Sequence, residues 1–168
     1  MRRVFFHKLV CIVICALAAL VPGSSGAADS RQFSRSMPPS FAGLPVKDGG
    51  RCEIDALNFA LFENSPMPLR RGASLALAGW AVVDVRAGTI GAARAVQVGT
   101  DPAFFVSGES YVRNGLGAAL GNPALDRGGF KVERIALNIA PGSHRLFILI
   151  LSGKEVLRCD TRRVLRVE

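Results

Sequence analysis

Apolar and polar residues alternate with a period of two over much of this chain, and glycine, proline and serine clusters interrupt the alternation at short intervals. Such a pattern predicts short strands joined by turns. In residues 52–57, Cys52 and Ile54 share one face, and Glu53 and Asp55 share the other. In residues 74–83, Leu75, Leu77, Gly79 and Ala81 fall on one face, with Trp80 and Val82 on the opposite one. Further strands are expected over 93–98, 103–106, 111–113, 130–139, 146–151, 155–160 and 164–167. The run 146–151 carries apolar residues on both faces, which predicts a central strand. Asn64-Ser65-Pro66-Met67-Pro68 reads as a break, Pro141-Gly142-Ser143 as a sharp turn, and Ser152-Gly153-Lys154 as a hairpin turn.

One segment departs from period two. Between Asn114 and Leu125, Leu116, Ala119 and Leu120 fit one helical face, and Gly121-Asn122-Pro123 ends the run. Its glycines and Pro123 weaken any regular strand there. The expected fold class is therefore all-β: an antiparallel, immunoglobulin-like sandwich with one short helical insert.

The start of the chain follows a different pattern. Arg2, Arg3 and Lys8 precede an uncharged apolar run that ends at Val21, followed by Pro22, Gly23 and the small residues of 24–28. A basic start, a short apolar middle and a small-residue end predict a secretory signal peptide over 1–27, cut after Ala27 or Ala28. The apolar run is shorter than the roughly 20 residues that cross a bilayer. The destination is then the periplasm or the outside of the cell, with no stable membrane span after processing. Residues 28–50, rich in Pro, Gly and Ser, read as a flexible linker, and 51–168 as the folded domain.

Export changes the charge and cysteine counts. Loss of Arg2, Arg3 and Lys8 takes the formal charge from +8 to +5. Of the four cysteines, Cys11 and Cys15 leave with the signal, so Cys52 and Cys159 remain as one pair. An even pair in an oxidising compartment reads as a disulfide. Two cysteines and one mature histidine, His144, are too few for a structural zinc site, and no cofactor motif is present. The C-terminal arginines Arg158, Arg162, Arg163 and Arg166 read as a charged strand edge or as a site for an anionic polysaccharide or lipid headgroup. Without interleaved aromatic residues they do not point to nucleic acid.

Several motifs fall in a recognisable order. Cys-Glu-Ile-Asp at 52–55 is followed by Gly-Trp-Ala at 79–81 and Ala-Leu-Gly-Asn-Pro-Ala at 119–124. Gly129-Phe130, a turn and strand from Pro141 to Leu146, and Cys159-Asp160 complete the set. Over 51–168 the chain resembles a poorly characterised β-sandwich module of Gram-negative envelope proteins, often attached to a membrane-embedded protein. Here it follows a signal peptide instead. The resemblance implies a fold and a location, but no activity and no catalytic residues.

Candidate chemistry is sparse. Trp80 reads as a core tryptophan near the disulfide, with a sugar-stacking platform as the alternative. His144 would need a nucleophile and an orienting carboxylate to act as a base, and the adjacent Ser143 would point the other way in a strand. Glu53, Asp55 and Asp84 are carboxylates for acid–base work only if the fold gathers them. Gly115-x-Gly117 and Gly128-Gly129 lack the Lys-Ser/Thr and βαβ context of a phosphate loop. Tyr111, Arg113 and Asn114 form the most suggestive polar cluster, since an aromatic beside a guanidinium can hold a sugar or a carboxylate. The expectation is a non-enzymatic exported module that binds an envelope protein or glycan. A small hydrolase using Asp84, Asp55 or His144 and a purely structural spacer are the alternatives. N-terminal sequencing of exported protein is expected to start at Ala28 or Asp29; an intact Met1 would instead indicate a retained anchor.

Overall fold

Inward-facing apolar residues at every second position bring the strands together as two facing sheets. The computed structural model describes residues 32–62 and 66–168. The signal segment and its cleavage residues Ala27 and Ala28 lie outside the described residues. The first sheet has five strands in the order β3-β2-β5-β9-β8, all antiparallel. They are β2 (Arg51–Leu57), β3 (Ala60–Leu61), β5 (Ser74–Val82), β8 (Glu109–Tyr111) and β9 (Gly129–Ala136).

The second sheet runs β1-β11-β10-β6-β7. Its members are β1 (Val46–Asp48), β6 (Arg94–Val98), β7 (Phe104–Ser107), β10 (Gly142–Ser152) and β11 (Glu155–Val167). The short β4 (Met67–Leu69) lies parallel to the C-terminal end of β11, and β1 parallel to its N-terminal part. The expected break at Pro66-Met67-Pro68 is thus an edge strand, a place where proline is tolerated.

Between the sheets lies the main core. Ile54, Leu75, Leu77, Ala81, Phe130 and Val132 face Val96, Val98, Leu146, Ile148, Ile150 and Leu165. The faces assigned to β5 from sequence are the observed ones. In β9, Arg134 adopts a left-handed φ of 55°, and the register with β5 shifts there. Consequently Ile135, rather than residue 134, follows Val132 into the core. The stretch Leu146–Ile150 is buried on both faces, as its composition predicts, with β6 on one side and β11 on the other.

The expected pair of C-terminal strands is one strand. β11 runs unbroken through 155–167 but bends at Arg162, where φ is 60°. The expected strand over 111–113 is also displaced: β8 ends at Tyr111, and Arg113 and Asn114 belong to the following turn. Residues 114–125 lie outside both sheets, as expected. They hold helix α1 (Leu116–Leu120) and the start of a 3-10 helix, Pro123–Gly128. Asn122 caps the latter by accepting from the Ala124 amide at 3.1 Å, while its Nδ2 donates to the Val85 and Arg86 carbonyls. At Gly117 a Cβ would meet the Pro123 Cα at 2.6 Å, so only glycine lets the two short helices pack this closely.

The linker expectation ending at Gly50 does not describe residues 32–50. Phe33 sits in the main core. Ser34 exchanges backbone hydrogen bonds with Phe105, and β1 joins the second sheet. Phe41, 1% exposed, covers Ala95, Phe105, Leu149 and Val156 on that sheet's outer face. Proline and glycine content reads as a linker, yet the turns those residues make lay an apolar ring over an apolar sheet face. Phe41→Ala is therefore expected to cost about 3–5 kcal/mol in chemical denaturation, whereas a linker phenylalanine would cost almost nothing.

Candidate functional site

The strand register brings Cys52 of β2 next to Ala81 and places Glu53 beside Trp80. Cys52 is bonded to Cys159 of β11, with a Cα–Cα separation of 6.1 Å. The disulfide expected from sequence thus joins the two sheets. Across this edge β2 packs tightly on β5: a Cβ at Gly79 would run into the Glu53 carbonyl. That steric limit accounts for the glycine of the Gly-Trp-Ala motif.

Beyond Cys159, β11 bulges. Arg145 pairs with Val164 and Phe147 with Asp160, so Leu146 alone stands opposite Thr161, Arg162 and Arg163. Short-range bonds hold the extra residues. Thr161 Oγ1 donates to the Leu146 carbonyl at 2.7 Å and accepts from the Arg163 amide at 3.2 Å. Asp160 Oδ1 accepts from the Arg162 amide at 2.9 Å. A bulge re-aims side chains; this one presents Arg162 and Arg163 beside β2. The Arg163 guanidinium reaches Glu53 at 3.4 Å and stands 5.2 Å from the centre of the Phe62 ring.

Three clefts adjoin this edge. The first, about 510 Å³, is lined by Gly50, Arg51, Glu53, Trp80, both bridged cysteines and residues 160–163. The second, about 480 Å³, shares Arg51, Glu53 and Trp80 with it and extends to Arg113, Asn114 and α1. The third, about 550 Å³, shares Gly50, Cys159 and Asp160 with the first and continues over Arg145, Phe147 and Arg158. Through these shared residues they adjoin one another as a groove around the disulfide edge; among the described residues its lining holds six arginines, three acidic residues and no lysine.

Ion pairs account for most of this charge. Asp48 pairs with Arg158 at 2.8 Å, Asp160 with Arg145, and Glu53 with Arg163. Arg113 pairs with Asp55, outside the lining. The Arg145 and Arg158 guanidiniums also lie 5.7 Å and 5.4 Å from the Phe147 ring centre.

The sequence-derived candidates separate in the fold. Arg113 and Asn114 line the groove, but Tyr111 lines a different hollow, with Phe59, Ala56, Ala78, Lys131 and Glu133. They split because the strand ends at Tyr111. Trp80 is buried, 8% exposed, but on the outer face of its sheet, where Val82, Leu116 and Leu125 cover it. So deeply buried, it offers little stacking surface to the clefts it lines. Asp84 caps a turn through the Ala87 amide at 3.0 Å. His144 is held by the Ala140 carbonyl at 2.9 Å. Among the described residues, no three His, Cys, Asp or Glu side chains gather as a metal site. No helix among them is long and apolar enough to cross a membrane.

Arg94 was not singled out from sequence, although it opens a strand whose residues are all buried. It is 3% exposed. Its Nε donates to the Ala81 carbonyl at 3.1 Å and Nη1 to Ser110 Oγ at 2.8 Å, while Nη2 has no partner among the described residues. Burial lowers its pKa from the usual arginine range. It ties β6 of one sheet to β5 and β8 of the other.

The chain matches no protein-family profile, no curated protein and no solved structure. The disulfide at the centre of the groove closes a span of 107 residues. Its reduction is expected to lower Tm by more than about 10 °C, and Cys52→Ala and Cys159→Ala should do so equally. Thiol titration of exported, unfolded protein should find no free cysteine; two free thiols would contradict the bridge.

Proposed function

We propose that this protein is an exported, non-enzymatic β-sandwich module that binds an envelope partner, protein or glycan, through the arginine-lined groove. The observation that carries the reading is the groove itself: a charged surface assembled around a covalent bridge, with its acids held in ion pairs rather than poised on a nucleophile. A disulfide supports an oxidising compartment outside the cytoplasm, in agreement with the signal pattern of residues 1–27.

The proposed topology is immunoglobulin-like. The order β2-β5-β9-β8 facing β11-β10-β6-β7 matches strands A-B-E-D facing G-F-C-C′. β1, lying parallel beside β11, supports it further. Two features depart from antibody domains: the bridge joins the first and last of these strands, and Trp80 sits on the second strand facing outward. The likeness to the Gram-negative envelope module, with its ordered motifs from Cys52 to Asp160, belongs to the same proposal.

Processed protein incubated with cell-envelope material and separated by sedimentation should co-sediment and should saturate with ligand. A structural spacer would stay in the supernatant. Turnover of envelope polymers that is lost on substituting Asp55, Asp84 or His144 would replace the binding reading with a hydrolytic one.

A further inference from the structure

Of the six arginines in the groove, four are matched by carboxylates and two are not. Neither the Arg51 nor the Arg162 side chain has an ion-pair partner among the described residues, and both are exposed. Both line the same cleft, beside the disulfide. Arg162 holds its place at φ 60°, a left-handed backbone that a bulky residue adopts only at a cost. Glycine would suit that bend better. A strained residue that presents an unpaired cation into a cleft is the kind of feature that marks a binding position.

We infer that the groove takes a linear acidic polysaccharide, with Arg51 and Arg162 reading its carboxylate or phosphate groups. The inference rests on the binding-module reading above and names its ligand class. Arginine rather than lysine throughout suits planar, two-point recognition of such groups. The lining runs from Arg113 and α1, which packs on the outer face of one sheet, past Arg51 and Arg162 to Phe147 and Arg158 of the other sheet, a course that a flexible chain can follow more readily than a flat lipid surface. A protein partner would need a seat for apolar anchors. Phe147 and Trp80, the aromatic residues of the lining, are each more than nine-tenths buried.

The test is titration of processed protein with polygalacturonate, followed by the fluorescence of Trp80, the only tryptophan, which borders the cleft. Neutral dextran, polyglutamate and vesicles containing phosphatidylglycerol serve as comparisons. Polygalacturonate should bind, more weakly as salt rises, and dextran should not. Arg51→Ala and Arg162→Gly should each weaken binding by about fivefold to tenfold, and Arg86→Ala and Arg127→Ala, outside the groove, should leave it unchanged. Arg162→Gly should also leave Tm unchanged or raise it, which separates lost recognition from lost folding. Equal affinity of groove and control variants would overturn the inference, as would tighter binding of polyglutamate or vesicles, or binding of no probe. If co-sedimentation with the envelope survives in the Arg51→Ala, Arg162→Gly double variant, the binding module stands and its acidic ligand does not.

Discussion

The covalent bond between β2 and β11 joins the first long strand of one sheet to the last strand of the other. Facing sheets ordinarily stand about 10 Å apart, yet the bridged Cα atoms are 6.1 Å apart. The sandwich is therefore pinched at this edge. Two irregularities lie next to the bridge: glycine at position 79, where a Cβ would strike the Glu53 carbonyl of the neighbouring strand, and the bulge at 161–163 in β11. The free edge of β11 is covered in succession by β1, the bridge to β2, and β4. An edge covered in this way offers no long template for strand addition.

The second constraint is apolar surface on the outside of the sheets. A two-sheet domain buries only its inner faces, but here Leu149, Val156 and Phe105 face outward from one sheet and Trp80 and Val82 from the other. Each outer face has its own cover. The N-terminal segment brings Phe41 to the first, and the helical insert brings Leu116 and Leu125 to the second. These covers explain why β10 is apolar on both faces, and why a proline- and glycine-rich segment belongs to the folded domain.

The proposed binding groove lies where the bridge, the bulge and the insert meet. The bulge moves Arg162 and Arg163 out of strand alternation, the insert supplies Arg113, and β2 supplies Arg51 and Glu53. Because each carboxylate of the lining is already paired, the unmatched charge is that of Arg51 and Arg162, which meet in the cleft beside the disulfide. Recognition through guanidiniums depends on their rigid placement, and the disulfide restrains the two strands that carry Arg51 and Arg162.

Sequence alone determined the strand count in outline, the faces of β5, the buried run in β10, the helical insert and the cysteine pair. Each of these follows from a local rule: alternation, turn chemistry, or the parity of cysteines. Tertiary structure decided the rest. Whether residues 32–50 dangle or dock depends on an apolar sheet face assembled from β6, β7, β10 and β11. That β11 is one bent strand, rather than two, depends on a bulge held by Thr161 and Asp160, whose side-chain bonds leave no periodic trace. Tyr111 and Arg113 parted because a strand end is set by its pairing partner. Which arginines are free was likewise hidden, since an ion pair such as Arg163 with Glu53 joins residues 110 positions apart, and only the folded chain brings them within reach.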